Sequence, residues 1–288
     1  MDLCDIRVIR ALLARHGMHF SKAKGQNFLC VASVPMEIAA LSGADEESGV
    51  LEIGPGVGCL TKELCALAKK VLAVEVDEAL RPILAETMAD VGNLELLFGD
   101  VLRQNIPELV DEHFSGMRRI ACANLPYYIT TPILTALLET ECFDAVTVMV
   151  QKEVAERICA RPGTSEYGAF TVFCRYYADA EIVLQVPSDC FIPQPKVDSA
   201  VVRLSVRGTP PCEIPDKALF FKVVRASFAH RRKTLRNGLS SGFPQIPKDA
   251  VSAILAECGL PETVRGETLD LPAFAQLAEA VGRHLKNA

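Results

Sequence analysis

No apolar run in the sequence approaches the ~18 residues that a membrane-spanning helix needs, which excludes a helical membrane protein. The first 24 residues carry Asp2 and Asp5 and lack a continuous apolar core, so they do not read as a secretory leader. Eleven cysteines are scattered without a single C-x-x-C pair. That leaves no zinc or disulfide framework and reads as small buried thiols in a reducing cytoplasm. A Gly-Lys-Ser/Thr phosphate loop is missing, as are internal repeats and low-complexity segments. An overall positive charge is missing too, since the net charge is −6. What remains is ordinary globular material: 288 residues, half of them hydrophobic and 23% charged, enough for one large or two modest domains.

The most informative stretch is Val50-Leu51-Glu52-Ile53-Gly54-Pro55-Gly56-Val57-Gly58-Cys59-Leu60-Thr61. An apolar run ends in three alternating glycines and passes into an amphipathic segment, the pattern of a buried strand, a tight turn and a helix start. A second apolar run, Val71-Leu72-Ala73-Val74-Glu75, ends in a carboxylate 21 positions after Gly54. In a βαβ unit an acid at that spacing sits at the tip of the second strand, where it can accept hydrogen bonds from ribose hydroxyls. The G-x-G-x-G spacing departs from the G-x-G-x-x-G that cradles a pyrophosphate, so an adenosine cofactor without phosphates fits better. S-adenosylmethionine is such a cofactor.

Strands and helices then alternate. Leu94–Phe98 is a strand leading into Gly99-Asp100, Arg119–Ala123 one leading into Asn124-Leu125-Pro126-Tyr127, and Ala145–Val150 a fifth, nearly all apolar. Glu75, Asp100 and Asn124 thus tip successive strands, and open parallel sheets bind ligands at those carboxyl ends. The alternative for a lone acid there is a helix N-cap. Ala180–Val186 and Ser199–Val206, with only the loop Pro187–Asp198 between them, read as an antiparallel pair at the sheet edge. Gly208–Pro215 carries three prolines and reads as a linker, and the remainder is helical. The expected division is therefore residues 1–207 and 208–288. From Gly208 onward there are 11 Lys/Arg and 8 Asp/Glu, a net of +3 against −9 for the rest. Lys217–Arg236 holds seven basic residues and no acid, which is either a solvated helix face or a phosphate-binding footprint.

Asn-Leu-Pro-Tyr can be a plain turn with a packed tyrosine. At the tip of a cofactor-binding sheet it suits methylation of an exocyclic amine. That displacement needs alignment, with no metal and no covalent intermediate. The Asn124 side-chain oxygen and a backbone carbonyl at Leu125 or Pro126 can accept both N–H groups and aim the lone pair, while Tyr127 offers a ring for the base.

On these residues the sequence resembles the ribosomal RNA adenine dimethyltransferases, the small-subunit (16S) type. The resemblance also rests on Lys24-Gly25-Gln26-Asn27-Phe28-Leu29, Thr131-Pro132-Ile133-Leu134 and Gln151-Lys152-Glu153-Val154-Ala155. Phe191-Ile192-Pro193-Gln194-Pro195-Lys196-Val197-Asp198-Ser199 and Phe228-Ala229-His230-Arg231-Arg232-Lys233-Thr234-Leu235 complete it. It implies a class I, Rossmann-like α/β methyltransferase with seven strands in the order 3-2-1-4-5-7-6, one of them antiparallel, and a small helical C-terminal domain. The implied activity is two methylations of N6 on each of two adjacent adenosines near the 3′ end of 16S rRNA. The partner is that rRNA in an assembling small subunit, and the enzyme is a cytoplasmic monomer. The resemblance also implies that Gln26, Asn27, Leu29, Gly54, Gly56, Glu75, Asp100 and Asn124 hold S-adenosylmethionine, Glu75 by the ribose and Asp100 by the adenine amino group. It places the flipped base between Tyr127 and Phe191, the latter on a mobile loop, with a buried core phenylalanine as the plain alternative. Lys222, Arg225, Arg231, Arg232, Lys233 and Arg236 would grip rRNA. Competing readings are a large-subunit enzyme of the same chemistry and a non-catalytic assembly factor. Two departures stand out: Cys30-Val31-Ala32 where relatives carry an acid, and Tyr128 where Asn is frequent.

Overall fold

The computed structural model describes residues 1–20, 26–230 and 233–286. Lys24-Gly25, Arg231 and Arg232 lie outside the described residues. The chain packs as two compact units, Met1–Ala155 with Ala180–Val206, and Glu156–Asp179 with Arg207–Ala288. The expected cut at 207/208 falls one residue from Val206–Arg207. The units differ from it in assigning Glu156–Asp179 to the second, a segment whose sequence reads as parts of two helices, Gln151–Ala160 and Tyr167–Ala178, within the expected first domain.

The first unit is built on seven strands: β1 (Ser48–Ile53), β2 (Lys70–Glu75), β3 (Leu94–Phe98), β4 (Arg118–Asn124), β5 (Ala145–Gln151), β6 (Ala178–Val186) and β7 (Ser199–Val206). Their order is 3-2-1-4-5-7-6. Strands β1 to β5 pair in parallel and β7 runs antiparallel to β5. Every residue of β1 is buried, as expected of a central strand covered on both faces. Core side chains Val34, Ile38, Leu60, Leu64, Val71, Ile120 and Met149 form one cluster. Ile9, Leu12, Leu13, Ile83 and Leu84 form another, which docks the helix Ile6–Arg15 onto the helix Arg81–Thr87.

Register fixes what meets at the carboxyl edge. Ile53 lies opposite Val74 and Ala123, Glu75 opposite Phe98, and Asn124 opposite Met149. Because β7 is antiparallel, its first residue, Ser199, lies opposite Gln151 at that same edge.

Two elements have no counterpart in the sequence reading. Ile106–His113 is a helix opened by Pro107 in its first turn. Phe28–Leu29 and Phe191–Ile192 form a two-residue antiparallel ladder, where the sequence suggested only loops. Two residues are too few to show any periodicity.

The second unit is helical, with Ala169–Tyr177, Lys217–Phe228, Leu235–Gly242, Lys248–Glu257 and Leu271–Lys286. Phe173, Tyr176, Tyr177, Phe220 and Phe221 interlock, with ring centroids 4.8–6.2 Å apart. Helix Leu235–Gly242 approaches helix Lys217–Phe228 so closely that a Cβ on Gly238 would stand 2.5 Å from the Ala226 carbonyl oxygen. No helix among the described residues is long and apolar enough to cross a membrane.

Candidate active site

At the carboxyl edge of β1, β2 and β4 lies a cavity of about 440 Å3. The loop between β1 and the helix Cys59–Leu67 forms its floor. Gly54, Gly56 and Gly58 all adopt positive φ there (+73°, +60° and +95°), a region L-residues rarely enter. A Cβ on Gly58 would also meet the Met88 methyl at 2.6 Å. The Gly54 N–H donates to the Val74 carbonyl at 2.9 Å, tying the loop to the second strand.

Glu75 is 4% exposed and closes this corner. Its carboxylate accepts the Gly56 N–H at 3.2 Å and the Asp77 N–H at 2.8 Å. Burial raises its pKa, and those two N–H groups hold it back. Gln26 donates to Asp77 at 2.9 Å and lines the cavity with Asn27 and Leu29. The N-cap after β2 is Asp77, not Glu75, which leaves Glu75 to the cavity. Asp100 lines the cavity as well but does cap the turn Val101–Arg103, accepting the Leu102 N–H at 3.0 Å through one oxygen. Its other oxygen has Arg103 at 3.6 Å.

Asn124 donates its amide N–H to the Asn27 carbonyl at 3.3 Å. With the nitrogen so engaged, the acceptor oxygen of Asn124 is left without a partner among the described residues. The two candidate carbonyls separate cleanly. That of Pro126 accepts from the Ile129 N–H at 3.1 Å and the Thr130 hydroxyl at 3.4 Å, so it is committed to the turn. Leu125 donates its N–H to the Met149 carbonyl at 3.2 Å, and no described hydrogen bond engages its own carbonyl. Leu125, not Pro126, therefore offers the backbone acceptor. The half-buried Tyr127 bonds through its hydroxyl to the buried Ser199 hydroxyl at 2.8 Å, and burial pushes its pKa up.

Phe191 is not part of this cavity. It is 4% exposed, laddered to Leu29, and packed in the core with Val186 and Cys190. The structure thus places Phe191 as a buried core phenylalanine, the plain alternative. A two-residue ladder and a Cys30 N–H bond to the Cys190 carbonyl at 2.8 Å hold this segment. The basic residues lie in the second unit. Lys222, Arg225 and Lys233 are exposed, Lys222 standing 4.6 Å over the Phe243 ring. Arg236 is half-buried and 3.6 Å from Glu262.

Glu52, Val76, Leu102 and Ser199 belong to the site or its support, yet the sequence reading passed over their roles. Val76 (63% exposed) and Leu102 (41% exposed) follow the two acidic tips and line the cavity, an apolar pair open for a flat ring. Glu52 is 1% exposed in the cavity wall, and its Oε2 has no hydrogen-bond partner among the described residues. Burial, with the Glu75 charge adding, pushes its pKa up to about 8. A raised carboxyl pKa favours the folded state at low pH. That contribution is full below about 4.5 and lost as pH climbs to about 8, at up to about 1.4 kcal/mol per pH unit. Urea unfolding of ligand-free protein between pH 5 and 9 should show this decline, and Glu52→Gln should flatten it.

A ribosomal RNA adenine dimethylase family model matches residues 17–275. The chain belongs to the ribosomal RNA adenine dimethylase family. Relatives named ribosomal RNA small subunit methyltransferase A are similar over nearly their whole length. That of Bacillus cereus (strain B4264) is 46% identical over 287 residues, covering 98% of each chain. That of Geobacillus sp. (strain WCH70) is 45% identical over 276 residues, covering 94% of this chain and 95% of the relative. Among solved structures, a dimethyladenosine transferase from Plasmodium falciparum superposes with a TM-score of 0.76 at 25% identity, covering 88% of this chain and 97% of the other. The 23S rRNA methyltransferase ErmE gives 0.67 at 27% identity, covering 89% and 100%. The fold is that of class I methyltransferases. The dimethylase family's methyl donor, S-adenosylmethionine, fits the residues present: a carboxylate at the β2 tip, an open apolar pair, and an orphaned carboxyl oxygen in the wall.

Proposed function

We propose that the chain is the small-subunit enzyme of its family, placing two methyl groups on N6 of each of two adjacent adenosines near the 3′ end of 16S rRNA. The observation that carries this reading is the pair of acceptors without a partner among the described residues, the Asn124 amide oxygen and the Leu125 carbonyl, which line one cavity with Tyr127. Support for the small subunit comes from the 45–46% identity to relatives of that name, against 27% to ErmE.

Bound S-adenosylmethionine supplies an electrophilic methyl group. Glu75 would hold its ribose hydroxyls, Asp100 its adenine amine, and Gln26, Asn27, Leu29, Gly54 and Gly56 the remaining surface. A base amine conjugated into its ring is a poor nucleophile. In the first transfer the Asn124 and Leu125 oxygens, accepting its two N–H groups, draw the nitrogen toward a tetrahedral shape and expose its lone pair; in the second, the one remaining N–H is accepted by one of them. Once that nitrogen is alkylated it is cationic, and the same two dipoles stabilise it until a proton leaves. Tyr127 supplies one stacking face, worth ~1–3 kcal/mol. Phe191 would supply the second face only by leaving its core packing against Val186 and Cys190; deleting the ring by Phe191→Ala and measuring kcat decides its part.

The decisive experiment is mass spectrometry of adenosines from unmethylated small and large subunits incubated with the protein. Dimethyladenosine at two small-subunit positions supports the reading, and modification of large subunits alone defeats it. We further propose that the enzyme works as a cytoplasmic monomer on an assembling subunit. In it, Lys222, Arg225, Arg231, Arg232, Lys233 and Arg236 contact phosphates. Affinity for the subunit should then fall linearly on a log–log salt plot. Lys222→Glu with Arg225→Glu should reduce the slope by about 2, at ~0.9 or less per contact.

A further inference from the structure

Tyr127 and Tyr128 open one tight turn, Tyr127–Ile129, and have opposite environments. Three residues per turn put consecutive side chains about 120° apart. Tyr127 is half-buried and anchored to Ser199. Tyr128 is 65% exposed, makes no hydrogen bond or ring contact among the described residues, and yet lines the cavity. Its polar tip explains exposure of one atom, not of a whole ring.

The cavity has two ends in chemistry. Val76 and Leu102 flank it one and two positions after Glu75 and Asp100, the acids suited to a nucleoside. Tyr128 instead follows the acceptors and ring suited to the target amine. An enzyme that extrudes a base leaves the adjoining nucleotide with an unstacked face one backbone link away. Any nucleobase can stack on an aromatic ring.

We propose that Tyr128 is a stacking platform for the nucleobase adjoining the one being methylated, so that consecutive tyrosines receive consecutive bases. This rests on the reading of the cavity as an RNA adenine methylation site. The platform favours a purine neighbour, whose larger face overlaps the ring more fully.

The test measures methylation of unmodified small subunits and, separately, binding of S-adenosylhomocysteine by calorimetry. Tyr128→Ala should raise KM for the subunit between about 5-fold and 150-fold, far more than it lowers kcat. Tyr128→Phe should restore KM, and cofactor affinity should stay at the wild-type value in both. As a second readout, a short single-stranded RNA with two adjacent adenosines is compared with one abasic at the adjoining position. The abasic lesion should weaken binding to wild type and not to Tyr128→Ala. An unchanged KM in Tyr128→Ala, or an equal loss of cofactor affinity, overturns the platform. If wild-type protein itself methylates no small-subunit adenosine, the underlying reading fails instead.

Discussion

Replacing Asn124 with alanine should lower methylation of small subunits by about 10²-fold or more, with subunit binding nearly unchanged. The loss follows from position. Asn124 ends β4, its amide nitrogen is spent on the Asn27 carbonyl, and its oxygen is a side-chain acceptor with no partner among the described residues. A nucleophile aimed about 1 Å wrong costs about 10²-fold even when every contact elsewhere survives. The effect belongs in kcat, because the removed interaction strengthens as the amine turns tetrahedral and cationic. Single-turnover rates with saturating cofactor would measure it directly. Asn124→Asp is the informative companion, since it keeps an acceptor and adds a charge that the Asn27 carbonyl repels. Full activity in Asn124→Ala would remove this residue from the mechanism.

Glu75→Ala should weaken cofactor binding from about 30-fold to about 10³-fold, taking ~2–4 kcal/mol for charge-assisted hydrogen bonds to two hydroxyls. The carboxylate has a second task here, holding the Gly56 and Asp77 N–H groups. Its removal leaves both unpaired and loosens the glycine loop, so the melting temperature should fall as well. Glu75→Gln is the milder companion. It keeps one of the two acceptor oxygens and turns an NH2 toward the other N–H, so the loop is held in part while the charge that favours the ribose is lost. Calorimetric titration with S-adenosylhomocysteine beside a thermal melt distinguishes them: unchanged affinity in both variants would place the ribose elsewhere.

Local chemistry explains why much of the cavity was readable in advance. Glu75, Asp100 and Asn124 each end an apolar run, and a parallel sheet aligns such ends whatever the intervening helices do. The three glycines announce themselves because residues with a Cβ rarely adopt positive φ, and at Gly58 a Cβ would also meet Met88. The core packing of Phe191 was not legible in its Pro-rich loop. Its pairing with Leu29 crosses 162 residues of chain and leaves no trace in either segment. Glu52 was passed over because a glutamate inside an apolar run has the same letters whether its oxygen is satisfied or orphaned.

The strands, the glycine turn and the residue types at the strand tips were written in the chain itself, since period and turn chemistry act over a few neighbouring residues, whereas the strand order followed from the family resemblance. Folding alone decided the rest. Which of two carbonyls was left free, which tyrosine turned inward to Ser199, and which phenylalanine joined the core all depend on groups distant in sequence competing for the same hydrogen bonds and the same space.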